Sequence, residues 1–317
     1  MLKINKTQVV IKRNLSDYNE EYFSVVTIGT FDGVHVGHKK IIKRLIESAR
    51  ANDLKATILT FFPHPRMVLQ QDADLKLINT LDEKIAILEK TGLDVLVIHP
   101  FTKAFSRLSA SEYVQEALVK NLNAKKVIIG YDHRFGRNRT ATIKDLQVYG
   151  ETYGFEVEEI SAEEINEVSV SSTKIRKALA EGDIKTANEF LGYEFMLNGV
   201  ITKGKGLGRQ IDFPTANLYI EEKYKLIPKD GVYVVKSILD DREVFGMMNI
   251  GYNPTVNGVK KSIEIHFFDF DEDLYGKKIQ IDMLTRLRNE QRFDSIDMLQ
   301  QQLKKDKLNA LAFINAQ

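Results

Sequence analysis

Gly29-Thr30-Phe31-Asp32-Gly33-Val34-His35-Val36-Gly37-His38 decides how the first half of the chain is read. The apolar run Val25 to Thr30 ends on it, and Ile41, Ile42, Leu45, Ile46 and Ala49 follow at helical spacing, so it lies where a strand gives way to a helix. Glycines at such a junction let the backbone approach a ligand closely, and helix N-terminal amides face an anion. His35 and His38 can add hydrogen bonds to a phosphate chain, and positive charge if protonated. The plain alternative is that one imidazole caps the helix and the other packs in the turn. Context favours a site. Five of the six histidines lie within the first 133 residues, and His64 stands in Phe62-Pro63-His64-Pro65 at the end of the next apolar run, Ala56 to Phe61.

Further along, Thr80 to Glu83 forms a capping-box pattern opening a helix to Glu89, which leads into the run Val95 to Ile98. Val127 to Ile129 predicts another buried strand, then a polar helix up to Gly154 and a strand over Phe155 to Ile160. Repeated strand–helix units imply an α/β domain with a parallel, doubly wound, Rossmann-like sheet and a ligand site beyond the strand C-termini. After about Gly192 the pattern changes to extended runs, Val232 to Leu239, Glu243 to Ile250, Ser262 to Phe268 and Lys278 to Leu287, separated by Gly, Asn and Asp turns. This half reads as an antiparallel barrel closed by one amphipathic helix from Asp294. Ser172 to Leu191 reads as helical and joins the halves, and the domains are expected at 1–185 and 186–317.

Composition agrees with two domains. A chain of 317 residues is long for one core, and 43% hydrophobic with 28% charged residues is ordinary for a globular protein. Lysine plus arginine number 45 against 44 acidic residues, so the global charge argues against a nucleic-acid or polyanionic-membrane partner, and any phosphate binding must be local. The absence of cysteine excludes disulfides, thiolate nucleophiles and cysteine-based zinc sites, and fits a reducing cytoplasm. Met1 to Asn14 lacks an apolar leader core, and no apolar stretch reaches membrane-spanning length, so a soluble, unprocessed chain is expected. Oligomeric state is left open.

Three segments carry the remaining chemistry. Val170-Ser171-Ser172-Thr173-Lys174-Ile175-Arg176 places three hydroxyls at a helix entry with two basic side chains in its first turns. One cap needs one hydroxyl, so helix amides, Ser171, Ser172, Thr173 and Arg176 together suit an anion. Gly204-Lys205-Gly206-Leu207-Gly208-Arg209 alternates glycines that can form an amide concavity, although a plain hairpin is the alternative and the spacing is not that of a P-loop. In Phe213-Pro214-Thr215-Ala216-Asn217, Thr215 and Asn217 are spaced by two and share one face of an extended chain, offering oxygens to a hard cation such as Mg²⁺, although two buried polar side chains satisfying a barrel bend is the plainer reading of these residues alone.

The His-x-Gly-His turn and Ser-Ser-Thr-x-Ile-Arg segment resemble the signatures of nucleotidylyltransferases. With Pro63-His64-Pro65, they resemble the FAD synthetase module of bacterial bifunctional riboflavin kinase/FAD synthetases. The run Gly-Arg-x-x-x-Phe-Pro-Thr-Ala-Asn, then Gly231-Val232-Tyr233, Asn249-Ile250-Gly251, Pro254-Thr255, Phe268-Asp269-Phe270 and Arg288-Asn289-Glu290, resembles the riboflavin kinase module of the same enzymes in its usual order. The resemblance implies phosphorylation of riboflavin to FMN and adenylylation of FMN to FAD, with ATP, riboflavin and FMN as substrates and Mg²⁺ as cofactor. It implies that His35 and His38 act in adenylyl transfer, with Gly29, Phe31, Asp32, Gly33, Gly37, Ser171, Ser172, Thr173 and Arg176 around ATP. It places Gly204, Lys205, Gly206, Gly208 and Arg209 around the kinase ATP, Phe62, His64, Pro65, Asp132 and Arg288 near flavin, Thr215 and Asn217 on the metal, and Glu290 as general base. Three departures stand out: His133 replaces a usual Phe, Thr140-Ala141-Thr142 lacks a Gly-Asp, and Asp212 replaces a glycine. An adenylyltransferase for another phosphate acceptor, or a half retained as a flavin- or nucleotide-sensing module, are the competing functions.

Overall fold

The computed structural model describes residues 9–18, 22–69, 74–161, 170–204, 208, 211–255 and 258–316, with 253–255 and 258–260 described by backbone alone. The chain divides into two compact units, Met1–Ser171 and Ser172–Gln317.

The first unit is a six-stranded parallel sheet. Its strands are β1 (Val10–Lys12), β2 (Ser24–Ile28), β3 (Lys55–Phe61), β4 (Val95–His99), β5 (Ala124–Gly130) and β6 (Glu156–Ile160), in the spatial order β1-β4-β3-β2-β5-β6. Every residue of β2 is buried, as expected of a central strand covered on both faces. The helix α1 (Val36–Ala51) turns Ile42, Leu45 and Ala49 into the core, with Ile42 and Leu45 each contributing roughly 1.5–3 kcal/mol by burial. Next come α2 (Pro65–Leu69), entered through a cis Phe62–Pro63 bond, and α3 (Leu81–Glu89). The expected capping box of α3 is present, with Thr80 accepting from the Glu83 N–H and Glu83 accepting from the Thr80 N–H. A short α4 (Ala110–Tyr113), capped by Ser109 and Glu112, runs on as a π-helix over Val114–Asn121, and α5 (Ile143–Tyr153) ends on Gly154 in the left-handed region. Neither β1 nor α4 is signalled by a strong periodicity. The edge strand is three residues long, and its pairing with β4 defines it.

Chain order places the ligand crevice. From β2 the chain moves outward through β3 and β4 on one side, then returns to add β5 and β6 on the other. This reversal at β2/β5 opens a crevice beyond the strand C-termini, where α1 begins.

The second unit opens with α6 (Ser172–Glu181) and α7 (Ile184–Leu191). It continues as a closed barrel of β7 (Met196–Thr202), β8 (Ala216–Tyr219), β9 (Gly231–Leu239), β10 (Arg242–Thr255), β11 (Gly258–Phe267) and β12 (Lys278–Arg288), in the order β10-β11-β8-β7-β12-β9. The final helix α8 (Ile296–Asn315) starts on Ser295, whose Oγ accepts from the Met298 N–H at 3.3 Å. Ala310 of α8 packs in one core cluster with Phe213, Val232, Val234, Met247, Phe268 and Leu284. The antiparallel barrel and its closing helix agree with expectation.

Candidate active sites

In the first unit, Gly29, Phe31, Asp32, Gly33, His35, Gly37 and His38 fall on the β2–α1 junction at the sheet reversal. The turn bends sharply: Phe31, Gly33 and Val34 have φ of 46°, 88° and 37°. Left-handed geometry is costly for a β-branched valine, so the surroundings must hold it. Asp32, 2% exposed, helps by accepting from the Ile78 N–H through Oδ1 at 3.0 Å.

His35 is the N-cap of α1, and its Nδ1 accepts from the His38 N–H at 3.4 Å. The two imidazoles stack at 3.7 Å between centroids, 17° from parallel. Burial pushes His35 down to about 4. His38 is held well below its ordinary value by burial, then by the charges of His35 and Lys84. Both rings are therefore neutral near pH 7, which revises the expectation of possible positive charge. An accepting Nδ1 fixes the His35 proton on Nε2, leaving Nε2–H as a donor. The helix cap and the candidate donor are thus one residue.

Phe62, His64 and Pro65 follow β3, and Asp132 follows β5, so the flanking strands bring their loops to the same edge. His64 Nδ1 accepts from the Arg66 N–H at 3.1 Å. His99 contacts the Asn14 side chain at 3.1 Å and packs on Phe105, a structural placement.

The loop after β5 accounts for two departures. His133 lies 6.1 Å from Phe135 with rings 23° from parallel, and burial pushes it down to about 4. It packs as the aromatic ring it replaces, while its buried Nε2 has no hydrogen-bond partner. We expect His133→Phe to raise the stability of this unit by about 1 kcal/mol, read as a higher thermal midpoint, because it removes an unsatisfied buried nitrogen. Thr142 has a clear task. Asp145 Oδ2 accepts from its N–H and Oγ1 at 2.7 and 2.8 Å, starting α5, while Phe135 and Ala141 pair reciprocally at 3.2 Å.

The depressed imidazoles carry a pH signature. His35, His38 and His133 stay neutral in the folded chain, whereas unfolded imidazoles protonate near 6.5. Below that value the unfolded state binds more protons, so their contribution is present above about 6.5 and is lost as pH falls towards 4. Between pH 7 and pH 6 the loss should be roughly 2 kcal/mol for the three together, measurable by denaturant unfolding.

Ser171 precedes α6, and Ser172, Thr173 and Arg176 occupy its first turns, with Ile175 buried beneath them. The compact division at Ser171/Ser172 therefore leaves nearly all of this motif in the second unit.

In the barrel, Lys205, Gly206 and Arg209 lie outside the described residues. Gly204 and Gly208 stand where side chains would clash: a Cβ on Gly204 would meet Asn217 Nδ2 at 2.1 Å, and one on Gly208 the Phe213 carbonyl at 2.1 Å. Phe213 then anchors the segment in the core, and the Pro214 carbonyl accepts from His266 Nδ1 at 2.9 Å. Asp212 has φ 60°, so the position requires left-handed backbone that glycine adopts freely and Asp tolerates.

Thr215 Oγ1 lies 3.4 Å from Glu264 Oε2, and Asn217 pairs with Glu264 across the β8–β11 ladder. Hydroxyl, amide and carboxylate oxygens suit a hard cation such as Mg²⁺, and the close approach of Gly204 to Asn217 forms a cradle a Cβ would fill. Glu264 was not foreseen, because its partners are far away in sequence.

Glu290 follows β12, and its Oε1 accepts from the Tyr252 N–H at 3.1 Å. The neighbouring Asn289 accepts from Arg286 Nη2 at 2.9 Å, and Arg286 also donates to the Asp230 carbonyl. Arg288 grips Asp306 of α8 with Nε at 3.0 Å from both carboxylate oxygens and Nη2 at 2.7 Å from Oδ2. Asp306 is 1% exposed, so this fork ties the closing helix to the barrel. Arg288 Nη1 donates to the Asn289 carbonyl at 2.9 Å, so every guanidinium nitrogen has a partner within the barrel and its closing helix.

Each half of the chain resembles a known family. The FAD synthetase family model matches residues 18–174 and the riboflavin kinase family model residues 191–314. The chain is 36% identical over 301 residues to the bifunctional riboflavin kinase/FMN adenylyltransferase of Escherichia coli K12, covering 95% of each. To that of Bacillus subtilis 168 it is 34% identical over 302 residues, covering 93% of this chain and 94% of the relative. A solved structure described as a macrolide-efflux protein from Streptococcus pneumoniae is similar with a TM-score of 0.85 at 32% identity, covering 94% of this chain and 97% of that one. Among the described residues no helix is long and apolar enough to cross a membrane. With matching models for both modules and relatives covered almost end to end, the chain belongs to the bifunctional riboflavin kinase/FMN adenylyltransferase family.

Proposed function

We propose that residues 1–185 adenylylate FMN to FAD and residues 186–317 phosphorylate riboflavin to FMN, with the residues described above in those roles. For adenylyl transfer the supporting observation is the stacked, neutral His35–His38 pair at the sheet reversal. An FMN phosphate oxygen forms the new bond to the α-phosphorus of ATP, the bond to the α,β-bridging oxygen breaks, and pyrophosphate leaves. The phosphate is already an anion, so positioning and hydrogen bonding carry the reaction without a side-chain base. His35 Nε2–H and the amides of the turn are donors to the phosphate chain. Family resemblance assigns Ser171, Ser172, Thr173 and Arg176 to the same reaction.

Riboflavin presents a primary alcohol, which needs a base as it attacks the γ-phosphorus. Glu290 accepts that proton, the new P–O bond forms, and ADP leaves with the β,γ-bridging oxygen. Thr215 and Asn217, beside Glu264, would hold Mg²⁺, which when bound supplies neutralisation of phosphate charge. A reducing cytoplasm is the proposed location, in keeping with the absence of cysteine, and the balanced charge supports small-molecule rather than nucleic-acid partners.

Incubating purified protein with ATP, Mg²⁺ and either riboflavin or FMN tests the assignment. FMN should appear from riboflavin, and FAD from both. If supplied FMN is left untouched, the first unit serves another acceptor.

A further inference from the structure

Lys84 belongs to none of the motifs above. It sits on α3 immediately after the capping-box Glu83, where sequence alone suggests a solvated lysine. In the fold it is 4% exposed, the buried lysine among the described residues of the first unit. Burying an ammonium costs several kcal/mol unless it is matched, and an aliphatic side chain would fill the space without that cost. Its contacts suggest what the charge does there.

Lys84 Nζ donates to the Thr30 carbonyl at 2.7 Å, and Thr60 Oγ1 donates to the same oxygen at 3.2 Å. Two donors hold that carbonyl from the α3 and β3 sides. The Thr30–Phe31 peptide is trans, so the Phe31 N–H points opposite to the Thr30 carbonyl. Fixing the carbonyl therefore fixes an amide donor at the start of the phosphate turn. It also restrains the left-handed conformation of Phe31 next in the chain. Asp32 favours the ammonium electrostatically, and the lysine charge helps keep His38 neutral. Glu83, its neighbour on α3, directs a carboxylate oxygen to the Thr80 N–H at 2.8 Å.

We propose that Lys84 is a positioning residue for adenylyl transfer, acting through the Thr30 carbonyl to aim the Phe31 amide at the phosphates of ATP. The proposal rests on the assignment of that reaction to the β2–α1 turn. Burial pushes Lys84 down to about 8, so the ammonium is present at neutral pH and is lost on the alkaline side.

The test uses the full chain, with FMN formation from riboflavin as an internal reference. Lys84→Met should lower kcat/KM for FAD formation about 100-fold, the scale of losing one preorganised donor, while FMN formation is unchanged. FAD formation by the native enzyme should decline above about pH 8, FMN formation should not share that limb, and Lys84→Arg should move it beyond pH 10. The native-enzyme profile decides the matter even if Lys84→Met does not fold. FAD formation by Lys84→Met within threefold of native, or a native profile flat to pH 10, would overturn the proposal. His38→Ala separates the two levels: loss of FAD formation there with a normal Lys84→Met sinks only the role of Lys84, whereas normal activity in both removes the turn as the site.

Discussion

Glu290→Gln should abolish FMN formation from riboflavin, with kcat falling about 1000-fold, while FAD formation from supplied FMN proceeds at the native rate. The substitution keeps the length and shape of the side chain and its capacity to accept from the Tyr252 N–H, seen at 3.1 Å for Oε1. What it removes is the ability to take a proton. A riboflavin hydroxyl must lose one as it attacks, whereas the FMN phosphate is already ionised, so the two reactions separate cleanly at this residue. Glu290 is exposed at the end of β12, and the exchange should leave unfolding free energy within about 0.5 kcal/mol. Quantifying FMN and FAD from each starting flavin is the measurement. Loss of both products would contradict one base serving one site.

The contrast between what was legible and what was not follows from the range of the interactions. The α3 capping box lies within four residues, and β2, β3 and β5 are apolar runs set off by turns, so composition and spacing reveal them. The His35–His38 turn is legible for the same reason. Its charge state is not, because burial decides it. Two histidines three residues apart can add hydrogen bonds to a phosphate chain, and positive charge if protonated; the stacked and desolvated pair is neutral, so hydrogen-bond donation is what remains.

Other parts of the sites depend on partners far apart in the chain. Thr215 meets Glu264 of the neighbouring strand β11, Arg288 meets Asp306 from the closing helix, and Lys84 reaches back to Thr30. No local pattern reveals these pairings. The family departures become interpretable for the same reason. His133 keeps a ring against Phe135, Thr142 starts a helix, and Asp212 adopts the left-handed backbone that favours glycine.

Gly251 should prove nearly as important to the kinase as the base itself. It lies on β10 opposite Ser262, and an added Cβ would fall 1.9 Å from Glu290 Oε1 and 2.5 Å from its carboxyl carbon. The Glu290 side chain thus occupies the space that a side chain at 251 would fill, and the adjacent Tyr252 N–H holds it there. In Gly251→Ala the methyl and the carboxylate cannot coexist. The obstructing atoms are the free end of a flexible side chain, so Glu290 should swing away at little cost and the barrel should stay folded. FMN formation should fall about 100-fold or more, FAD formation from FMN should be unchanged, and the thermal midpoint should move by no more than about 1 kcal/mol warrants. If the glycine acts only by seating the base, adding Gly251→Ala to Glu290→Gln should cost much less than it does in the native chain, because the base it displaces is already inactive. Equal losses in both backgrounds would assign Gly251 a separate role in the barrel wall.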